Sequence, residues 1–322
     1  MKLHKNKGAF SLIELSIVIL IIGIIIAGVT KSSTLVELYR LSSARTQTQS
    51  SPVTSIDNLV LWYEATSKAS FDENETDNYT ELSAAEKALL KGRISTWYDI
   101  SSTTGTRNNA TQDDDTADDN ANTRPTYRTN CINSLPCVYF NGAKSFLDFS
   151  EPGIIGTNYT VFIVEKMEAV GAIIGGTTET LHIGYVTGPK ISWGHTTSNS
   201  TIFTQNSLDY SDGFAIAHVF VNESLDGFAA DIKDDFYNYT NGDSDPNTAS
   251  HTAAGTANTV GYLPSYTGST IGKGLIDTAE TFYKGSIGEI IIYNRALKAQ
   301  ERGAVMQYLI KKWNITPDNT DA

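Results

Sequence analysis

The most chemically loaded position in the sequence is Glu14, the one charged side chain in the twenty-residue apolar run Phe10–Val29. An isolated carboxylate near the centre of a bilayer costs roughly 2.5–3.5 kcal/mol on insertion scales, so Glu14 implies either a cationic partner or a place near the headgroups. Two small residues, Gly8 and Ala9, stand just before the run, whereas an ordinary secretory signal has its small-residue cleavage site after it. Elsewhere, Asp113, Asp114, Asp115, Asp118 and Asp119 crowd one segment, and Asp243 and Asp245 lie in "NGDSDPN". Carboxylate oxygens at that density suit a hard cation such as calcium, or else a solvated acidic loop, and neither segment has the full EF-hand spacing. His182, His195, His218 and His251 are scattered, and no G-x-S-x-G elbow accompanies them, so nucleophilic catalysis has no support.

These residues need elements to hold them. At about 1.5 Å per residue, a helix over Phe10–Val29 spans about 30 Å, the thickness of a hydrocarbon core. Lys2, Lys5 and Lys7 precede it, which places the N-terminus in the cytoplasm and everything after Lys31 outside. The helical pattern continues through Leu35, Leu38 and Leu41 and should break at Ser51-Pro52. Beyond it, short segments rich in Val, Ile and aromatics, bounded by Gly, Asn, Asp and Pro, predict a β-sandwich or barrel. They are "NLVLWYEA", "CVYFNG", "SFLDF", "YTVFIVEK", "GAIIGG", "LHIGYV", "KISWG", "FAIAHVFVN", "GFAADI" and "GSIGEIIIYN". Two helices interrupt them. Glu81–Gly92 has a Ser83/Glu86 capping box and a glycine stop. The other follows Asn294, with Leu297, Val305, Met306, Leu309, Ile310 and Trp313 on one face as packing residues that cover the sandwich.

The N-terminal residues "GAFSLIELS", with their basic leader and long apolar helix, resemble the leader of type IV pilins and type II secretion pseudopilins. The resemblance covers about the first thirty residues. It implies that prepilin peptidase cuts on the cytoplasmic side, keeps the helix and methylates the new amino terminus. In that family the glutamate is the fifth residue of the mature chain, which makes Phe10 the first residue and puts the cut after Ala9. The family usually has Gly before the cut, and a cut after Gly8 would make Glu14 the sixth residue. The resemblance also gives Glu14 its partner, the cationic amino terminus of a neighbouring subunit. Removing one member of a buried pair of this kind costs about 3–5 kcal/mol.

A second resemblance spans most of residues 57–315. The blocks "LVLWYEA", "ISTWYD", "NNATQ", "RPTY", "CINSLPCVYFNGAKSFLDF", "YTVFIVEK" and "IGEIIIYNRAL", in that order, are similar to laminin-G-like, concanavalin A-like jelly rolls. The implied organisation is a leader over 1–9, a pilin-like transmembrane helix over 10–50, the sandwich over 57–315 with its C-terminal helix, and a tail over 316–322. Glu64, where similar sequences often have Asp, and the segment Ser67–Lys91 depart from the pattern. Some folds of this type are glycoside hydrolases, which need two carboxylates about 5–5.5 Å apart for retention. "GEIIIYN" has only Glu289, and "FAADIKDD" has Asp231 without a spaced glutamate, so the reading is not an enzyme.

Cys131 and Cys137 flank the turn-like "INSLP" in a chain that should be exported, where a disulfide persists and a metal site would need more soft ligands. Trp193, Tyr262 and Tyr266 are the candidate stacking platforms for a glycan or surface protein, the alternative being core packing. The net charge is −12. Six basic residues against Glu14 and Glu37 leave the first fifty near +4, so the rest carries about −16, which excludes a nucleic-acid partner. The expected protein is a minor pilin-like or pseudopilin-like subunit with a recognition or adhesion head. The alternative is a type II secretion minor pseudopilin whose head is structural or contacts cargo, and behind it a membrane-tethered polysaccharide hydrolase. It would be anchored in the inner membrane with its head in the periplasm, or on an extracellular pilus after assembly.

Overall fold

The computed structural model describes residues 12–71, 92–101, 107–112, 123–149, 158–176, 180–185, 190–196, 201–205, 214–223, 236–240, 269–276 and 279–316. It is mainly β, with a long N-terminal helix and a C-terminal helix. Helix α1 (Leu12–Gln49) is followed by Pro52 and a short 3-10 turn at Val53–Ser55. The strands then run β1 (Leu59–Glu64), β2 (Thr96–Trp97), β3 (Ala110–Thr111), β4 (Thr126–Ile132), β5 (Leu135–Asn141) and β6 (Leu147–Phe149). Next come β7 (Asn158–Ala169), β8 (Gly171–Gly175), β9 (Thr180–Tyr185), β10 (Ile191–Thr196), β11 (Thr201–Gln205) and β12 (Ile216–Glu223). The last are β13 (Phe236–Thr240), β14 (Ser269–Ile271), β15 (Lys273–Ile276), β16 (Ala279–Phe282) and β17 (Lys284–Tyr293), before helix α2 (Ala299–Trp313). The expected helix over Glu81–Gly92 and the strand "GFAADI" lie outside the described residues, apart from Gly92.

The described strands form two large antiparallel sheets, beside a separate two-stranded pair of β15 and β16. One has the order β13-β12-β7-β17-β5-β4, and the other β11-β10-β9-β8-β14-β6-β3-β2. In the first, one edge of β17 pairs with β7 along its length, while the other edge is shared. Residues 284–287 pair with β5, and residues 289–293 pair with β1, setting Glu64 opposite Glu289. Gly288 marks the changeover, its carbonyl accepting from Ala65 N at 2.9 Å.

Both faces of this sheet are covered, which is why "YTVFIV" and "IIIY" run apolar without alternation. One face meets the second sheet, where Tyr63, Trp97, Phe149, Trp193 and Phe220 fill the space between. The other meets the helices, where Phe162 packs edge-on to Tyr293 and the buried Val305, Met306, Leu309 and Trp313 of α2 close the layer. Glu301 lies in the first turn of α2, accepts from Lys298 N and pairs with both terminal nitrogens of Arg295. Those Arg295 bonds hold its carboxyl down at about 2, and a negative charge there also suits the positive end of the helix. At the other end Asn314 takes the left-handed conformation (φ 49°) and Ile315 N returns to Ile310 O at 3.0 Å, a Schellman-type stop.

A Cβ added at Gly288 would fall 2.6 Å from the Trp313 ring. The ring is buried and cannot swing aside, so Gly288→Ala should lose about 1–3 kcal/mol as an overpacking defect. Urea denaturation of the purified chain, followed by tryptophan fluorescence, checks this.

Candidate functional site

Several sequence candidates lie outside the described residues: Gly8, Ala9, Phe10, Asp113, Asp115, Asp243, Asp245, Tyr262 and Tyr266. Glu14 sits in the first turn of α1, where the structure describes its backbone. Of the apolar run, the side chains are described only in part, and among the residues so described no helix is long and apolar enough to cross a membrane. No group of three or more His, Cys, Asp or Glu that could hold a metal occurs among the described residues. The expectation that Trp193 offers an exposed stacking face is corrected. Strand β10 lies inside its sheet between β9 and β11, and the indole is 1 % exposed, packed 5.5 Å from Phe220 in the inter-sheet core.

Cys131 and Cys137 are joined in a disulfide with Cα atoms 5.7 Å apart. It ties β4 to β5 across an irregular stretch between Arg128 and Ile132, beside the two-residue turn Asn133–Ser134. Both turn residues have positive φ (48° and 70°), the conformation that twists a tight hairpin correctly. Asn133 Nδ2 donates to Trp313 O at 2.8 Å and Asn314 O at 3.0 Å, so the turn caps the end of α2.

The side chains that the fold does bring together are Glu64, Glu289 and Lys312. Alternation in β1 turns Trp62 and Glu64 toward the helices and Tyr63 toward the second sheet; β17 brings Glu289 alongside. Lys312 Nζ donates to Glu64 Oε1, to Glu289 Oε2 at 2.8 Å and to Tyr308 OH at 3.0 Å. Glu289 also accepts from Trp62 Nε1 at 2.7 Å, Tyr308 OH at 2.8 Å and Trp313 Nε1 at 2.8 Å. Glu64 accepts in addition from Thr66 N at 2.8 Å, Thr66 Oγ1 and Ser67 N. Each carboxylate thus has four donors, and the side chains of all three charged residues are fully buried. Burial pushes the Glu289 carboxyl up, and the Lys312 ammonium pulls it back. Burial and the nearby Glu289 carboxylate raise the Tyr308 phenol well above its ordinary value.

The same cluster anchors α1. Arg45 Nε donates to Thr66 O at 2.8 Å, while Ala44 and Thr48 are buried against the head. A continuous chain of contacts therefore runs from α1 through Thr66 and Glu64 to Lys312, α2 and Glu289. A second buried carboxylate, Glu165 on β7, lies between the sheets and accepts from Tyr185 OH at 2.6 Å and from Tyr283 OH, with His218 Nε2 at 3.4 Å. Burial and Glu165 hold the Tyr283 phenol well up, and burial lowers His182 to about 4. None of these carboxylates is more than 1 % exposed. Chemically they can hold elements together, but no substrate can reach them as they stand.

The sequence reading missed this cluster as a unit. A signal was present: Glu64 in "LVLWYEA", Glu289 in "GEIIIYN" and Lys312 on the Trp313 end of α2 are charges at positions whose apolar neighbours predict burial. Buried charges of opposite sign must find one another.

With the geometry in place, comparison with known proteins adds the following. Residues 4–30 match the family model described as the prokaryotic N-terminal methylation motif. No curated protein matches the chain at a significant level. Among solved structures, it resembles a Trypanosoma rangeli sialidase in complex with sialic acid at 14% identity and a TM-score of 0.46. That match covers 81% of this chain and 34% of the sialidase, so the chain spans about a third of that protein. Domain 4 of AbnA, a GH43 extracellular arabinanase from Geobacillus stearothermophilus, matches at 16% identity, 57% and 81% coverage, and TM-score 0.39. A native heptameric SAP-like pentraxin from Limulus polyphemus matches at 15%, 52% and 80%, and 0.35. At such values none of them transfers an activity. The chain carries a type IV prepilin-type methylation motif at its N-terminus, followed by a β-sandwich head.

Lys312→Met leaves two carboxylates buried without their cation and should destabilise the protein by about 3–5 kcal/mol at neutral pH. Glu289 already has a raised value in the folded state, so protonation favours folding: its contribution is full below the ordinary carboxylate range and lost as pH rises through the raised value. Without Lys312 that value climbs further, and the variant's deficit should shrink on acidification. Urea denaturation of both proteins at neutral and mildly acidic pH measures the difference.

Proposed function

We propose that the chain is a minor pilin-like or pseudopilin-like filament subunit that displays its sandwich as a recognition or adhesion module. The observation that carries this is the methylation motif at residues 4–30, continuous with a helix that runs to Gln49 and is hydrogen-bonded to the head. In this reading prepilin peptidase removes residues 1–9, Phe10 becomes the methylated amino terminus, and Glu14 neutralises the amino terminus of a neighbouring subunit. The apolar run holds the unassembled chain in the inner membrane with the head in the periplasm, and assembly carries the head outward. The head's size suits a minor or tip position better than a closely packed repeating one. The head binds rather than turns over its ligand, a view supported by the sealed carboxylates, and its ligand class is a glycan or a surface protein.

Mass spectrometry of the chain expressed with and without prepilin peptidase tests the first part. Loss of residues 1–9 and a methylated Phe10 are expected only with the peptidase, and an intact N-terminus would overturn the reading. Glu14→Ala should still be processed but should fail to enter filaments, because removing one member of a buried pair costs on the order of 3–5 kcal/mol. A glycan array and a labelled-polysaccharide assay of the full chain separate binding from hydrolysis, and signal in neither favours the structural head of a type II secretion pseudopilin.

A further inference from the structure

At the neck, where α1 meets the head, a cleft of about 200 Å³ opens between Arg40, Ser43 and Gln47 of α1, the Asn133 turn, and Lys311 and Asn314 of α2. No carboxylate lines it. Lys312, at its floor, is committed to Glu64 and Glu289. Arg40 and Lys311, by contrast, carry no ion pair among the described residues, and both are exposed. The carbonyls of Trp313 and Asn314, which would give the end of α2 a negative character, are occupied by Asn133.

Gln47 Nε2 lies 3.4 Å from Ser43 Oγ, while Gln47 Oε1 is buried without a partner. Turning the amide over lets the oxygen accept from the Ser43 hydroxyl. Two free cations with no acid among them suit an anion, on a chain whose head is otherwise strongly acidic.

The position says which anion. Arg40 is eleven residues beyond Val29, about 16 Å along a helix, whereas headgroups extend only about 5–8 Å past the hydrocarbon core. A lipid phosphate does not reach the cleft, so the anion must come from beyond the headgroups. We infer that the neck cleft receives a carboxylate-bearing segment of the neighbouring filament subunit. This rests on the filament reading above and adds to it a polar contact that sets the register of one subunit on the next.

The test uses the full chain in cells that assemble it. Assembled filaments are treated with a water-soluble carbodiimide, which joins an amine to a carboxylate only in direct contact, and the links are mapped by mass spectrometry. Lys311 should link to an Asp or Glu of another subunit, a second copy of this chain included. Arg40→Glu with Lys311→Glu should lower incorporation into sheared filaments at least about tenfold through like-charge repulsion, while Arg40→Lys with Lys311→Arg retains it. Processing at Phe10 and retention of the disulfide in each variant separate a folding or processing failure from a failure at the cleft. Normal incorporation of the charge-reversed variant, or links from Lys311 only within its own chain, would overturn the inference. A wild-type chain left unprocessed would instead overturn the filament reading on which it rests.

Discussion

The architecture depends on one ammonium shared by two buried carboxylates. Glu64 is on the strand that follows α1, Glu289 on the central strand and Lys312 on the last helix, far apart in sequence and fully buried together. Desolvating three charges is expensive, and replacing such a cluster by apolar side chains is often neutral or stabilising. What an ionic cluster adds is geometry. The eight hydrogen bonds to the two carboxylates are satisfied together only when β1, β17, α2 and the Thr66 turn are all in place. An apolar patch would tolerate a slipped helix, whereas this cluster leaves a buried carboxylate short of a cation or of hydrogen-bond donors if any of the four moves.

That constraint bears on what the chain does. In the proposed filament, load on the N-terminal helix must reach the head, and α1 is attached through Arg45 to Thr66 O, on the turn whose amides bind Glu64. Ala44 and Thr48 pack beside the same place. The disulfide and the Asn133 turn brace the opposite side by capping α2. Helix, sheet and C-terminal helix therefore meet at one braced junction, with the exposed cations of the neck on its outer surface. The sandwich beyond needs only to be stable and displayed.

Much of the fold was legible because its physics is local. The apolar run, the proline after α1, the amphipathic face of α2 and the aliphatic strands β7, β12 and β17 all announce themselves by periodicity and composition. Strands β2 and β3 are two residues each, and β4 carries the polar "TYRTNC"; such segments acquire strand character from their partners, which a sequence does not display. The site was less legible. Trp193 in "ISWGH" reads as a candidate stacking platform, yet alternation along β10 puts its indole on the face between the sheets, against Phe220. Glu64, Glu289 and Lys312 were each visible as charges among apolar residues, but their meeting depends on sheet order and on how α2 lies across it. The N-terminal motif was the reverse case, since it is recognised from the order of its residues alone.

The central claim, that the Glu64–Lys312–Glu289 cluster couples α1 to the head, is tested most directly by hydrogen exchange on the full chain, comparing the wild type with Lys312→Met under conditions where both remain folded. The account predicts that amides in the last two turns of α1, in the Thr66–Ser67 turn and in α2 lose protection together, while β9 and β10 in the far sheet keep theirs. Unchanged protection in α1 alongside a loosened α2 would contradict it, and would show α1 to be attached by other means.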